Sequence, residues 1–399
     1  MNINDLPDDC LLLIFDQFYQ LRQFATLMKV CPLWKILVEK RLKKITHLDI
    51  ALFTRNGFTP SHDTLEQRHL PLSHQCVITI SPDSLKKIKL SKLLPNVKLI
   101  HLENFTGNCI CDALAQLLTN ANQIKGLSCF DYKFKRNHEC NNTERITPFL
   151  SDIQVLRITN YAISTRYLRT FGQLKKLKSF GSSNYFQPTR FCIDDVNLRH
   201  VLQFAQFLTN LEQLVTFCDD EFDNDFVLVE SQLPIFGNLL HLELIDVSND
   251  GSTFTKFLNL CPNLLNLSLT VLFNKINRIR QINRNHNVQR LDLHSFSFGE
   301  MMTTTEKFPS CRYLSISSTC VLPSQDLIQI ISKLPHLSLF HVKNDCTDLA
   351  EIRIVKNYCH SQNPKIDVYF GSKEEKLMMS NELYRKFRNS FLPYIKSGS

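Results

Sequence analysis

Cys261-Pro262-Asn263-Leu264-Leu265-Asn266-Leu267-Ser268-Leu269 carries, in nine residues, the reading that decides the fold. Leu267 and Leu269 alternate with polar neighbours, the period of a strand with one buried face, and Leu264 enters three residues earlier. Pro262 keeps a helix from running into that strand, because the residue before a proline is pushed out of the helical region. Just upstream, Phe254 to Leu260 shows apolar residues at helical spacing. One short strand and one short helix cannot bury their own apolar faces, so such a unit needs copies of itself on either side.

The copies are there. The phrase apolar-x-x-apolar-x-apolar recurs as Ile45/Leu48/Ile50, Val97/Ile100/Leu102, Ile124/Leu127/Cys129, Ile153/Leu156/Ile158 and Leu211/Leu214/Thr216. It continues as Leu239/Leu242/Leu244, Val288/Leu291/Leu293, Cys311/Leu314/Ile316 and Leu337/Phe340/Val342, with weaker copies centred on Ile78, Leu177 and Val368. From Leu48 to Val368 the mean step is about 27 residues, and the stretches Leu114 to Leu118 and Leu327 to Leu334 supply further helices. Leu94-Pro95-Asn96 and Leu334-Pro335-His336 repeat the proline punctuation. In period and phrase this resembles the leucine-rich repeats, which implies an α/β fold: a right-handed solenoid with a parallel sheet on its concave side, over residues 46–371. That family often sets Asn or Cys five residues after the second anchor; here the place holds Phe105, Tyr161, Val247, Phe296 and Thr319. An irregular solenoid is expected, its turns held by apolar packing or by neighbouring Asn and Ser residues.

Residues 1–45 follow a different rule. Leu11, Ile14, Phe15 and Phe18, then Phe24, Leu27 and Met28, then Trp34, Leu37, Val38 and Leu42 recur at helical spacing in three short runs. Pro7 suits a first helical turn, Asp8 and Asp9 favour the positive end of the helix dipole, and Pro32 restarts the chain so that a third helix carries Trp34. Three helices this short leave an apolar face for something else to cover. Leu6-Pro7, Leu11, Ile14-Phe15, Phe18, Leu27 and Val30-Cys31-Pro32-Leu33-Trp34 together resemble the F-box. The resemblance implies that Leu6, Pro7, Leu11, Ile14, Phe15, Val30, Cys31 and Trp34 serve binding of a Skp-type adaptor, with only a subset touching it.

An F-box followed by leucine-rich repeats implies the substrate-recognition subunit of an SCF-type cullin–RING ubiquitin ligase, with cullin and RING subunits reached through the adaptor. Such a receptor is non-catalytic and acts by proximity, holding a substrate near the charged ubiquitin carrier. An adaptor-binding scaffold without ubiquitin transfer, or a repeat-only interaction module with a degenerate F-box, stays open on the residues alone.

Composition narrows the field. No apolar run approaches the 18 residues that span a bilayer, and the first nine residues carry Asp5, Asp8 and Asp9 without a basic residue, which reads against a secretory signal. Fourteen cysteines then read as reduced thiols, in cytoplasm or nucleus. The net charge of +8 is spread thinly; Lys40-Arg41-Leu42-Lys43-Lys44 reads first as a solvated helix end and second as a nuclear-import patch, and nucleic acid is not favoured. Ten glycines form no phosphate-cradling loop. Cys109-x-Cys111 and His138-x-Cys140 lack the paired spacing of a metal site, so no cofactor and no metal is expected.

Three stretches break the period and read as loops: 55–74, 133–144 and the segment around Gly181 to Pro188. The acidic run from Asp219 to Asp225 reads as a solvated loop or a docking loop for a basic partner. Residues 372–399 open on the capping box Ser372-x-x-Glu375 and read as a terminal capping helix and tail. Strand alternation sends the residue between the last two anchors of each phrase to the concave face: His101, Ser128, Arg157, Lys178, Val215, Glu243, Ser268, Asp292, Ser315 and His341. Flanking residues on that face include Phe130, Phe217, His241, His294 and Tyr313. Aromatic residues beside charges make the expected protein-substrate surface His101, Phe130, Arg157, Phe217, His241, Glu243, Asp292, His294, Tyr313 and His341.

Overall fold

The computed structural model describes residues 3–52, 74–85, 89–104, 111–119, 123–131, 152–158, 178–181, 198–203, 205–218, 233–246, 252–271, 279–317, 322–343 and 349–370. The segments 133–144, 182–188 and 219–225, most of 55–74, and the C-terminal capping helix lie outside the described residues. The chain divides into two compact units, Met1–Val196 and Asn197–Ser399, each mixed α/β with a parallel sheet.

The first unit opens with α1 (Asp8–Phe15), α2 (Leu21–Leu27) and α3 (Pro32–Leu42). Pro7 sits just before α1, with Asp8 and Asp9 in its first turn, and Pro32 starts α3. The Gln20 N–H donates to the Gln23 Oε1 at 3.1 Å, closing the start of α2. Leu11, Phe15, Phe24, Trp34, Leu37, Val38 and Leu42 form the core of this bundle, and Phe15 meets Trp34 edge-on at 5.1 Å.

At the centre of the bundle lies Arg41, with no exposed side-chain surface. Its Nε pairs with the Asp16 Oδ1 at 2.8 Å, its guanidinium lies 5.3 Å from the Phe24 ring centre, and Nη2 donates to the Phe18 and Gln75 carbonyls at 3.3 and 3.5 Å. Burial pushes its pKa down while the Asp16 carboxylate pulls the other way. The basic run at 40–44 is therefore not a uniformly solvated helix end: Lys40, Lys43 and Lys44 are exposed, but Arg41 and Leu42 are buried. A charge so placed is compensated by the Asp16 carboxylate, two backbone carbonyls and an aromatic ring.

Six strands follow in this unit among the described residues: β1 (His47–Leu52), β2 (Gln75–Ile80), β3 (Leu99–Asn104), β4 (Gly126–Asp131), β5 (Val155–Ile158) and β6 (Ser179–Gly181). Their order in space is β6-β5-β4-β3-β1-β2. The strand carrying Ile78 is thus not the second coil in line. β1 takes β3 on one side, His47 opposite Leu99, and β2 on the other, His47 opposite Gln75. That puts β2 at the edge facing the helices, where the Val77 N–H donates to the Tyr19 carbonyl at 2.7 Å and α2 packs alongside. An open strand edge is an aggregation hazard, and here the chain covers it with its own strand and helix. A second correction concerns Leu177. Leu156 pairs with Phe180 and Arg157 with Gly181, so the strand centres on Phe180 and Lys178 is not its front-face residue.

The second unit keeps strict chain order: β7 (Gln213–Cys218), β8 (His241–Asp246), β9 (Asn266–Val271), β10 (Arg290–His294), β11 (Tyr313–Ser317), β12 (Leu339–Val342) and β13 (Asp367–Tyr369). All three anchors of every phrase from Leu211 to Val342 are buried, none more than 3% exposed. Behind the sheet, α4 (Ser252–Asn259), α5 (Phe298–Thr305), α6 (Ser324–Ser332) and α7 (Leu349–Ser361) supply Phe254, Phe257, Met301, Leu327, Ile330 and Val355 to the same core. Ser297 and Glu300 cap α5 reciprocally, and the Glu351 carboxylate accepts from the Ser324 N–H at the start of α6. The start of α5 is thus sealed by its own residues and that of α6 by the next coil.

The turns are held by a device at another place than the repeat family suggests. Phe296 fills one of the five positions after the second anchor and is buried, as apolar packing requires. The polar ladder stands instead at the residue before the first anchor. Asn96 donates to the Lys43 carbonyl at 2.7 Å, Asn238 to Thr209 at 2.8 Å, Asn263 to Gly237 at 2.8 Å and Asn287 to Pro262 at 3.0 Å. Each acceptor is the carbonyl two residues before the first anchor of the preceding coil, so a single short amide side chain ties coil to coil.

Candidate functional site

Two surfaces carry the expected site residues, and each has to be sorted into what is buried and what is offered. On the helical bundle, Leu11, Phe15 and Trp34 are core: Trp34 is 9% exposed, and its Nε1 donates to the Asn4 Oδ1 at 2.9 Å. These three can serve a partner only by supporting the surface above them. Leu6 and Cys31 are half-buried, whereas Pro7, Ile14 and Val30 are exposed. Beside them stand three exposed apolar residues outside the motif-derived set: Leu13 at 66%, Ile36 at 60% and Ile3 at 46%. Their signal was present in the sequence. Leu11-Leu12-Leu13-Ile14 is four apolar residues in a row, and a short helix buries only one stripe, so two of the four must face out. Ile36 lies across the helix from the Trp34–Val38 stripe for the same reason.

The second surface is the face of each sheet turned away from the anchors. In the first unit the register aligns Asp49, His101, Ser128, Arg157 and Gly181. The His101 Nδ1 and the Ser128 Oγ are 2.9 Å apart, and Phe130 falls opposite Glu103 one step along β4. In the second unit the row runs Val215, Glu243, Ser268, Asp292, Ser315, His341, Tyr369. A parallel row starting from Gln213 runs His241, Asn266, Arg290, Tyr313, and Phe217 and His294 lie on the other side.

Several of these groups serve their neighbours. The Asn266 Nδ2 reaches the His241 Nδ1 at 2.6 Å, and the Ser315 Oγ lies 3.4 Å from the His341 Nδ1. With His101–Ser128, these are cross-strand pairs that stiffen the sheet face. His241 is buried, and burial first, then the nearby Arg290, pushes its pKa down to about 4. His294 also falls to about 4, through burial first and then Lys343 and Arg290, with Asp292 opposing. Both imidazoles are neutral at pH 7, so the face carries its charge on Glu243, Arg290, Asp292 and Lys343. Asp292 is 5% exposed, and its Oδ2 takes Arg290 at 2.9 Å. Phe217 is half-buried and Tyr313 is 39% exposed, so of these two the tyrosine is the more exposed.

The described residues hold no group of three or more metal-ligating side chains, and no helix among them is long and apolar enough to cross a membrane. The buried thiols of Cys76, Cys261 and Cys311 have pKa values raised by burial, so they are packing groups and not nucleophiles. What the described residues offer is an apolar helical surface and a mixed polar sheet face.

No protein-family model matches the chain, and no curated protein matches it in sequence. Among solved structures it is similar to the complex of Rad7 and Elc1 in yeast, at 13% sequence identity and a TM-score of 0.39, over 92% of this chain and 94% of that one.

Proposed function

We propose that the protein is the substrate-recognition subunit of an SCF-type cullin–RING ubiquitin ligase, its helical bundle an F-box that binds a Skp-type adaptor and its repeats a leucine-rich array that holds a protein substrate. The observation that carries this reading is the surface of the bundle. It buries Leu11, Phe15 and Trp34 of the motif, and it leaves Leu13, Ile14, Val30 and Ile36 in solvent. Large exposed aliphatic residues on so small a unit mark a surface that a partner covers. The reading requires no chemistry from the chain itself, and a receptor of this kind acts by raising the effective concentration of substrate near the ubiquitin carrier.

The test is co-purification with a Skp-type adaptor. Ile14→Glu with Val30→Glu changes two exposed residues, so the fold is expected to persist, as judged by an unchanged thermal melt. Truncating or charging an interface anchor costs about 2 kcal/mol or more, so adaptor capture should fall by at least about thirtyfold. Undiminished capture by the double variant would sink the assignment.

A further inference from the structure

We infer that the sheet face of the second unit reads a basic side chain of its protein ligand, an arginine seated at Asp292; this deepens the receptor reading and rests on it. The two oxygens of that carboxylate differ. Oδ2 is held by Arg290, while Oδ1 is buried and accepts no hydrogen bond among the described residues. A buried acceptor without a donor is costly, and a ligand that brings one gains what the free protein forgoes.

The register shapes the place. Asp292 projects from β10 opposite Ser268 on β9 and Ser315 on β11, both too short to rise above it. Along β10 the next residues on this face are Arg290 and His294, and Tyr313 stands diagonally across with much of its ring exposed. The carboxylate is therefore flanked by short side chains across the strands and by longer ones along and diagonal to its own. A guanidinium matches such a place: it offers five donors in a planar fork, and its flat face stacks on an aromatic ring such as Tyr313. An acidic ligand would leave Oδ1 unsatisfied, because a carboxylate brings no donor. Lys343 follows β12 directly, its N–H bonded to the Ile316 carbonyl at 2.8 Å, and its ammonium is the cation that competes for this carboxylate.

The experiment titrates the full chain with three short, labelled glycine–serine peptides that differ at one central residue: arginine, citrulline (the same shape without charge) or glutamate. The arginine peptide should bind at least about tenfold more tightly than citrulline, and the glutamate peptide should not bind. Asp292→Asn should erase the preference, and Lys343→Gln should tighten the arginine peptide severalfold by removing its rival. If Asp292→Asn does not fold, the peptide series and Lys343→Gln decide alone. Equal binding of arginine and citrulline, capture of the glutamate peptide, no binding of any peptide, or weaker arginine binding in Lys343→Gln overturns the inference. Adaptor co-purification is measured on the same samples. Adaptor retained without arginine preference rejects this inference only, whereas arginine preference without adaptor rejects the ligase reading only.

Discussion

Two arginine–aspartate pairs in this protein have nearly the same length and opposite consequences. Arg41 meets Asp16 at 2.8 Å across 25 positions of sequence, and Arg290 meets Asp292 at 2.9 Å across two. The first is a tertiary contact. Its guanidinium is wholly enclosed, and it joins the ends of α1 and α3, the Phe24 ring and the backbone of β2. The second is local to one strand and lies on a sheet face, where it neutralises a carboxylate without using both oxygens. The first pair is tied into backbone and ring by the same guanidinium; the second lies on a sheet face with only its own strand neighbour as ion-pair partner among the described residues.

Breaking the first pair should have the largest effect. Arg41→Ala leaves Asp16 with the Lys44 ammonium at 3.5 Å and takes the donor from the Phe18 and Gln75 carbonyls, so the cost should approach the about 3–5 kcal/mol of breaking a buried pair from its lower end. Chemical denaturation should show that loss in the melting of the first unit. Arg41→Lys should recover little of it, because an ammonium cannot reproduce the planar fork. A loss under about 1 kcal/mol would make the enclosed pair dispensable and erase the contrast.

On the sheet face the expected effect is smaller and depends on pH. The His241 pKa falls from 6.5 to about 4 on folding. Between those values the unfolded chain holds a proton that the folded chain lacks, so stability is complete near pH 7 and declines as pH falls to about 4. The full change is on the order of 3 kcal/mol for this group. His241→Gln should roughly halve the slope of that part of the stability–pH curve, His294 supplying the rest, while leaving the neutral-pH value close to wild type. A curve of unchanged slope would show that the imidazole is not held neutral by its surroundings.

The smallest effect belongs to the asparagine ladder, which sharpens the comparison by separating coil stacking from both pairs. Asn263→Ala removes one side-chain bond to an exposed carbonyl and should cost about 0.5–1.5 kcal/mol. Asn238→Ala and Asn287→Ala should behave alike, since each makes the same contact one coil away. Costs near zero at all three would leave coil spacing to the backbone and the core alone.

How far the sequence could be read depends on whether the determining contact is local. The repeat phrase is local: its period-2 alternation states which residues face inward, and in the second unit every anchor from Leu211 to Val342 is buried as that alternation requires. The front-face row of the second unit follows from the same rule, so Glu243, Asp292 and His341 could be placed beside their strand neighbours in advance. At Leu177 the rule misplaced the strand by three residues, because Leu177 and Phe180 are both apolar and only pairing with β5 tells them apart.

By itself, then, the sequence determined the alternation of strand and helix, the buried anchors and the three-helix start, since each is a property of side chains a few residues apart. Only the tertiary structure decided that β2 crosses to the edge of β1, that Arg41 is a core residue in a run of lysines, and that Asn stands before the first anchor as the coil-to-coil tie. It also decided which carboxylate oxygen on the sheet face is left without a donor. These depend on which chain segments become neighbours in space, and no short-range pattern encodes that.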